Sequence, residues 1–190
     1  MTTEDYPGVV IVLNPWEDVH AHHVGITVHY ANVHKNNRTS YDARLLQPDN
    51  DRACIDSARA EVGVARAYGG YWHAGHWDSA QHDLYAEQHA DISVRRLVNG
   101  APIEMGIEVK RRRSGHWVPI DYKDYLKNHL LVWAEVHGCD AEHQFPRVKI
   151  IGQAHASQVW DHAEPWGNDT KRRKFSPALL QAPAVMKEYI

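Results

Sequence analysis

Cysteine is scarce in this chain, and its scarcity excludes two common ways of stabilising a small fold. The 190 residues contain two cysteines, Cys54 and Cys139, which form no C-x-x-C pair. Disulfide scaffolds and zinc ribbons both need more cysteines at shorter spacing. We therefore expect a reducing, intracellular setting, in which thiols remain free.

Long apolar runs are missing as well. No segment approaches the roughly 20 apolar residues that a membrane-spanning helix needs. The opening stretch MTTEDYPGVVIVLNPWEDVH has no basic segment ahead of its apolar residues, so it lacks the pattern of a secretory signal peptide. These absences predict a cytoplasmic protein without a membrane partner.

An excess of positive charge is the third absence. The chain has 21 Lys and Arg against 24 Asp and Glu, a net charge of -3 with its 15 histidines neutral. A uniformly basic nucleic-acid binder is excluded, but local basic patches contact phosphates whatever the net charge. Two such clusters occur, and each is equally explained as a solvated charge run in a loop. They consist of Arg111, Arg112 and Arg113, and of Lys171, Arg172, Arg173 and Lys174.

What is present predicts one mixed α/β (α+β) domain over residues 1–190, with a central mixed sheet flanked by helices. Alternating or continuous apolar runs indicate strands, and apolar residues three and four apart indicate helices. Polar or irregular segments are predicted at 31–50, in most of 71–90, at 121–128 and in the basic region after Pro165. The predicted strands are 8–13, 24–30, 91–98, 103–111, 129–136 and 147–154, and the predicted helices are 51–68 and 155–164.

The predicted strand 103–111 carries an unusual charge pattern. Side chains alternate between the two faces of a strand. Glu108 and Lys110 therefore share one face, and Ile107 and Val109 share the other. Taken alone, this segment is explained as a half-solvated strand with a surface ion pair.

A hairpin brings another acid toward this pair. Asn99-Gly100 is a strong turn signal, so the two flanking strands should pair. If the polar faces of the two strands coincide, Asp91, Glu108 and Lys110 converge at one end of the sheet.

A further acid lies on the predicted helix 51–68. Glu61 borders the apolar stripe of this helix, one turn from Ala58. A glutamate in that place needs an ion-pair partner, such as Arg59 or Arg66, or a function.

The ordered set of a helix glutamate, an aspartate and a Glu-x-Lys strand resembles the PD-(D/E)XK nuclease superfamily, which has the restriction-endonuclease-like fold. The motif positions are Glu61 in 60-AEVGVARAYGGYW-72, then Asp91, then Glu108 and Lys110. The family's Pro-Asp reads Ala90-Asp91 in this chain. The segments 22-HHVGITVHY-30 and 148-VKIIGQAHASQVW-160 are also similar to those of small phage-type members.

The resemblance implies a metal-dependent endonuclease that hydrolyses DNA in a bacterial or phage-infected cell, and, since many members dimerise, a homodimer. Mg²⁺ or Mn²⁺ is the implied cofactor, because the implied ligands are oxygen donors. Lys110 would orient or deprotonate the attacking water, or balance negative charge. The basic clusters would contact phosphates, and His116 and Trp117 would add stacking or other contacts. The implied catalytic residues are Glu61, Asp91, Glu108 and Lys110, and the implied metal ligands are Asp91, Glu108, the Val109 carbonyl and Glu61.

Several alternatives remain open. Asp83 or Glu87 could be the first acid instead, and Glu104 lies on the same strand face as Glu108. The histidines, which first cluster at 20–23, could form a zinc site, although no H-E-x-x-H motif supports one. The fold could also serve as a non-catalytic nucleic-acid-binding module, or as an interaction protein that uses its tryptophan-rich middle and its basic tail.

Overall fold

The computed structural model describes residues 8–37, 49–74, 90–98, 101–112 and 117–185. Within them the strands are β1 (Val9–Val12), β2 (Tyr71–Trp72), β3 (Ile92–Val98), β4 (Ala101–Arg111), β5 (Val118–Asp121), β6 (Leu130–His137), β7 (Arg147–His155), β8 (Glu164–Trp166) and β9 (Asp169–Phe175). The helices are α1 (Pro15–Asn37), α2 (Asp49–Tyr68), α3 (Tyr122–Leu126) and α4 (Ala156–Trp160), followed by a 3-10 turn at Pro177–Leu179. Some predicted features lie outside the described residues, namely Asp83, Glu87, Asn99-Gly100, Arg113 and His116.

The larger sheet is mixed, as predicted. Its strand order is β1-β7-β6-β4-β3-β2, with β4 and β6 parallel and the other neighbours antiparallel. β3 and β4 form the predicted hairpin, in which Ile92 lies opposite Ile107. The same register, continued by one residue beyond β3, sets Asp91 beside Glu108.

β6, like β7, has buried residues on both faces of the larger sheet. Leu130 and Val132 belong to the core beneath the long helices, whereas Leu131 and Trp133 belong to a second core on the other face. A strand covered on both sides has a continuous apolar run rather than an alternating one. This explains why the predicted strand 129–136 is strongly apolar.

The long helices cover the first face of the larger sheet. α2 confirms the predicted helix 51–68, and it ends at Gly69, whose φ of 63° suits a glycine after a helix. α1 packs against α2 so closely that a Cβ at Gly25 would lie 2.4 Å from the Cα of Ile55. None of the described helices combines the length and the apolar character needed to cross a membrane.

The predicted strand 24–30 is wrong, because these residues lie inside α1. The buried residues Ala21 and Val24 are three positions apart, which is the spacing of a helix and not of a strand. The helix begins at a capping box, in which the Asn14 side chain accepts from the Glu17 N–H and the Glu17 carboxylate accepts from the Asn14 N–H. This local stabilisation outweighs the alternating apolar pattern further along the helix.

Three segments predicted as irregular contain regular structure. Residues 31–37 and 49–50 belong to α1 and α2. The polar segment 121–128 contains α3, which follows β5 directly. The basic run 171–174 lies in β9, the central strand of a smaller sheet with the order β5-β9-β8. The predicted helix 155–164 is shorter than expected, because α4 ends at Trp160.

The smaller sheet packs over the second face of the larger one. Arg173 of β9 places its guanidinium 4.6 Å from the ring centre of Trp160, and Phe175 at the end of β9 is fully buried. Because the stems of Arg and Lys cover apolar surface while their charges reach water, a basic run can form a strand here. The second core consists of Val118, Ile120, Leu131, Trp133, Ile151, Ala154, Ala156, Val159, Trp160, Ala163 and Phe175.

Candidate functional site

One cleft beside the carboxyl end of β4 gathers the predicted site residues. It is bounded by α2 on one side and by the smaller sheet on the other, and Trp117, Trp166 and Arg172 lie on its wall. Residues that are far apart in the sequence therefore meet in this cleft. The predicted catalytic residues in its lining are Glu61, Asp91, Glu108 and Lys110.

Asp91 occupies the position just before β3, and it is held by the neighbouring strand. Its Oδ2 accepts a hydrogen bond of 2.7 Å from the Val109 N–H, which fixes the carboxylate against β4. Burial raises the pKa of Asp91, and the charges of Glu108 and Glu61 raise it further against the opposing effects of that hydrogen bond and of Lys110. Asp91 is thus buried beside two other carboxylates.

Glu61 reaches the cleft from α2. Its Oε2 accepts a 2.8 Å hydrogen bond from Trp72 Nε1, which orients the carboxylate. Burial raises the pKa of Glu61 to about 7; the Trp72 hydrogen bond opposes this shift and the charge of Glu108 adds to it. The ion pairs of Arg59 and Arg66 go to Asp18, Asp56 and Glu17.

Glu108 and Lys110 are buried, so the explanation by a half-solvated strand with a surface ion pair is wrong. Their residues are 7% and 8% exposed, and Lys110 Nζ lies 3.2 Å from Glu108 Oε1. Two further carboxylates contact the same ammonium, Asp124 Oδ2 at 3.0 Å and Asp121 Oδ2 at 3.5 Å. Burial alone would lower the pKa of Lys110, but the surrounding carboxylates raise it above its ordinary value.

The alternative acid Glu104 lies outside this arrangement. It is on the exposed half of β4, where its carboxylate pairs with Arg95 at 3.5 Å. Glu104 and Glu108 share a strand and a face, yet they differ completely in burial. This makes Glu104 a matched reference for Glu108.

Three polar residues of the cleft region escaped sequence analysis: Asp121, Asp124 and His129. Asp124 is fully buried on α3, and its Oδ2 also accepts from the Asp121 N–H at 3.1 Å. The available signal was the Asp-x-x-Asp spacing of 121–124, which is similar to a helix-capping pattern. His129 precedes β6 and had no comparable signal, because its burial arises only when α3 closes over β4.

The first basic cluster is largely engaged within the protein. Arg111 lies 3.5 Å from Asp56, and Arg112 lies 3.9 Å from Glu135 with its guanidinium 5.5 Å from the Trp133 ring centre. Both arginines line the cleft, but their side chains are mostly buried. They support the cleft wall as much as they present charge to it.

The second basic cluster is distributed over both faces of β9. Arg172 lines the cleft and forms a 2.7 Å ion pair with Asp121. Lys174 lies 4.8 Å from the Trp117 ring centre, so it supports that indole at the cleft wall. Arg173 stacks on Trp160 away from the cleft lining, and Lys171 is exposed.

Metal-ligand geometry differs from the predicted ligand set. Among the described residues, one group of three offers ligand atoms that all lie within 4.8 Å of one another, and it consists of Glu108, Asp124 and His129. The predicted trio of Glu61, Asp91 and Glu108 does not meet that spacing, and neither do the described histidines of α1. Asp91 and Glu108 still offer oxygen ligands as a pair, since they lie side by side in the extended β3–β4 register and the charge of Glu108 raises the pKa of Asp91.

Comparisons with protein-family models, with curated proteins and with solved structures gave no match for this chain.

Proposed function

We propose that this protein is a metal-dependent nuclease that hydrolyses phosphodiester bonds, with DNA as its substrate. The observation that carries the proposal is the convergence of Glu61, Asp91, Glu108 and Lys110 in one cleft, from a helix and two strands. In a strand with only a structural role, apolar residues would pack at lower cost than a buried lysine surrounded by carboxylates. The same set offers carboxylate ligands for a cation and a positive charge, both of which assist phosphodiester hydrolysis.

The carboxylates supply the cation site. Asp91 and Glu108 would hold Mg²⁺ or Mn²⁺, with Glu61 reaching it through water, since Mg²⁺ commonly uses one or two carboxylates and keeps several waters. Such an ion lowers the pKa of a bound water and neutralises charge on the phosphate. The Val109 N–H keeps Asp91 in place for this role.

Lys110 supplies a fixed positive charge. Because the neighbouring carboxylates raise its pKa, Lys110 keeps its proton and stabilises the negative charge that develops on the phosphate. Of the roles that the family resemblance implied, charge balance therefore fits this arrangement better than removal of a proton from water.

The cleft wall favours a nucleic acid over a smaller phosphodiester. Trp117 and Trp166 are 42% and 43% exposed and both line the cleft. Exposed indoles offer stacking faces for bases, and Arg172 on the same wall offers a cation for phosphate. A small phosphodiester could bind in a polar cleft without two exposed tryptophans.

Plasmid cleavage with Mg²⁺ and with Mn²⁺ tests the proposal. We expect native protein and Glu104→Gln to nick or linearise the plasmid, and Glu108→Gln and Lys110→Ala to be slower by about 100-fold or more, because each loses several kcal/mol of charge stabilisation. Circular dichroism of all four proteins checks their folding. If Glu108→Gln cuts as fast as native protein, the proposal is wrong.

The runner-up is a non-catalytic nucleic-acid-binding module. It would show salt-dependent DNA binding by native protein and no cleavage with either metal.

A further inference from the structure

Beneath the proposed catalytic residues lies a second polar group, here called the inner cluster: Glu108, Asp124 and His129. It is drawn from β4, from α3 and from the residue before β6. Asp124 and His129 are 0% and 6% exposed. The proposed function uses Glu108 but gives no role to the other two members.

The inner cluster presents three ligand atoms that Lys110 does not contact. Lys110 binds Glu108 Oε1 and Asp124 Oδ2, at 3.2 and 3.0 Å. The opposite oxygens face the imidazole, with His129 Nδ1 lying 3.6 Å from Asp124 Oδ1 and 3.9 Å from Glu108 Oε2. These separations are too long for good hydrogen bonds. They are close to the ~3.3–3.6 Å between ligand atoms held ~2.0–2.2 Å from a tetrahedral ion.

Two of these atoms are buried and lack a partner. Neither Asp124 Oδ1 nor His129 Nδ1 has a hydrogen-bond partner, although both are shielded from solvent. Leaving a buried polar atom unsatisfied is unfavourable, so one group placed between the two atoms would satisfy both of them.

The imidazole is also held in a defined place by the backbone of β4. A Cβ at Gly106 would lie 2.8 Å from His129 Cδ2 and 3.1 Å from its Nε2. The Cδ2–Nε2 edge of the ring therefore lies against a strand position that only glycine leaves open. This orientation directs Nδ1 toward the two carboxylates.

The two carboxylate oxygens that face the imidazole are the ones that no lysine or arginine among the described residues contacts. Lys110 and Lys123 lie against Glu108 Oε1, Lys110 also lies against Asp124 Oδ2, and Arg172 pairs with Asp121. We propose that the inner cluster is a metal site for a divalent ion of borderline softness, such as Zn²⁺ or Co²⁺. Its ligands are Glu108 Oε2, Asp124 Oδ1 and His129 Nδ1, with a remaining position for water.

Cobalt titration of the full chain tests this site, because Co²⁺ bound tetrahedrally absorbs visible light far more strongly than octahedral Co²⁺. With 15 histidines in the chain, weak surface binding is expected, and the matched control is His137→Gln at the opposite end of β6, where His137 is exposed. Native protein, His137→Gln and Asp91→Asn should each bind one Co²⁺ with the tetrahedral spectrum. His129→Gln, which removes a direct ligand, should lose the tetrahedral spectrum and more than the roughly 10- to 100-fold in affinity that loss of an outer partner of a ligand costs.

Asp91→Asn separates this site from the proposed nuclease site, because it removes an outer ligand and leaves the inner cluster whole. A tetrahedral spectrum that disappears in Asp91→Asn and persists in His129→Gln would overturn the inner site. If native protein does not cleave the plasmid but His129→Gln loses the tetrahedral cobalt spectrum, the proposed function is wrong and the inner metal site stands.

Native crystals soaked with Zn²⁺ give a test that needs no variant, in case His129→Gln does not fold. An anomalous peak at the zinc edge among Glu108, Asp124 and His129 supports the site. An ordered water there without anomalous signal, or a peak at Asp91 or at surface histidines alone, would show that the cluster holds solvent and not metal.

Discussion

At the scale of single residues, burial separates side chains that look alike in the sequence. Glu104 and Glu108 are both glutamates on one face of β4, but Glu104 is exposed while Glu108 is buried against Lys110. Most of the charge chemistry of this molecule follows from that difference, because carboxylates interact strongly only where water is excluded.

The raised pKa of Glu61 predicts a pH-dependent stability. A carboxyl whose pKa is higher in the folded chain favours folding when protonated, and it loses that advantage as the pH rises from its ordinary value of 4.5 to about 7. We expect Glu61→Gln, which keeps an acceptor for Trp72, to be more stable than native protein at pH 8 by on the order of 1–3 kcal/mol. At pH 4 the two should be equal.

Melting temperatures between pH 4 and pH 8 measure this difference. Glu142→Gln changes an exposed glutamate and should follow the native curve. Parallel curves for native protein and Glu61→Gln would mean that Glu61 is not the group responsible. Asp91, whose pKa is raised too, keeps some pH dependence in the variant.

The four predicted site residues could be found from sequence because their local patterns are distinctive. The Asn99-Gly100 signal implied the pairing of two strands, and strand alternation put Glu108 and Lys110 on one face. Asp124 and His129 could not be found in this way. Their role depends on α3 folding over β4, and a five-residue helix leaves too short a periodic pattern to recognise.

At the scale of elements, the contact between α1 and α2 depends on the absence of one side chain. Gly25→Ala would gain up to about 1 kcal/mol of helix propensity, but the new Cβ would meet backbone atoms of Ile55 at 2.4 and 2.6 Å. Backbone atoms cannot move aside cheaply, so the cost of the clash exceeds the gain in helix propensity. We expect a net loss of about 1–3 kcal/mol, or roughly 2–4 °C in melting temperature per kcal/mol.

The control for this change is Gly138→Ala, because a Cβ at Gly138 meets nothing within 4 Å. Its melting temperature should stay near the native value. Equal melting temperatures for Gly25→Ala and native protein would show that the helices are not packed so closely.

The smaller sheet provides a second test at this scale, through the tryptophan at the end of β8. We expect Trp166→Ala to weaken binding of a single-stranded oligonucleotide by about 5- to 100-fold, because stacking contributes about 1–3 kcal/mol per base. Fluorescence anisotropy in EDTA measures binding without cleavage. Trp16→Ala, at a largely exposed tryptophan of α1, is the matched control, and equal losses in both variants would exclude a stacking role for Trp166.

Elements were predictable where one strong local signal dominated. The helix 51–68 and the strands around the hairpin have clear periodicity, and both are present. α1 was mistaken at 24–30 because several apolar residues alternate there by chance, while the capping box at Asn14 and Glu17 lies ten residues earlier. β9 was missed because a basic run forms a strand only when Trp160 and the second core receive its apolar stems.

At the scale of the whole molecule, the grouping of Asp91 with Glu61 and Glu108, whose charges raise the pKa of Asp91, predicts that a cation stabilises the fold. An ion that binds only the folded chain adds about 2.7 kcal/mol at a concentration 100 times its Kd. We therefore expect Mg²⁺ to raise the melting temperature of native protein by several degrees. Asp91→Asn, which removes a proposed ligand, should lose most of this increase.

Asp161→Asn is the control, because Asp161 is an exposed aspartate after α4 that lies outside the cleft lining. It should respond to Mg²⁺ as native protein does. If Mg²⁺ leaves the melting temperatures of all three proteins unchanged, the metal assignment for Asp91 is wrong, whatever the plasmid assay shows.

The cleft takes its walls from chain segments that lie more than a hundred residues apart, from Ser57 on α2 to Arg172 on β9. Contacts between distant segments form late, because the loops between them must close first. A nascent or half-folded copy therefore has no cleft, and a chain cut in the turn between β6 and β7 leaves Arg172 and Trp166 on a separate fragment from Lys110. For the proposed nuclease, this topology would delay cleavage of DNA until the segments that form both walls have been synthesised and folded.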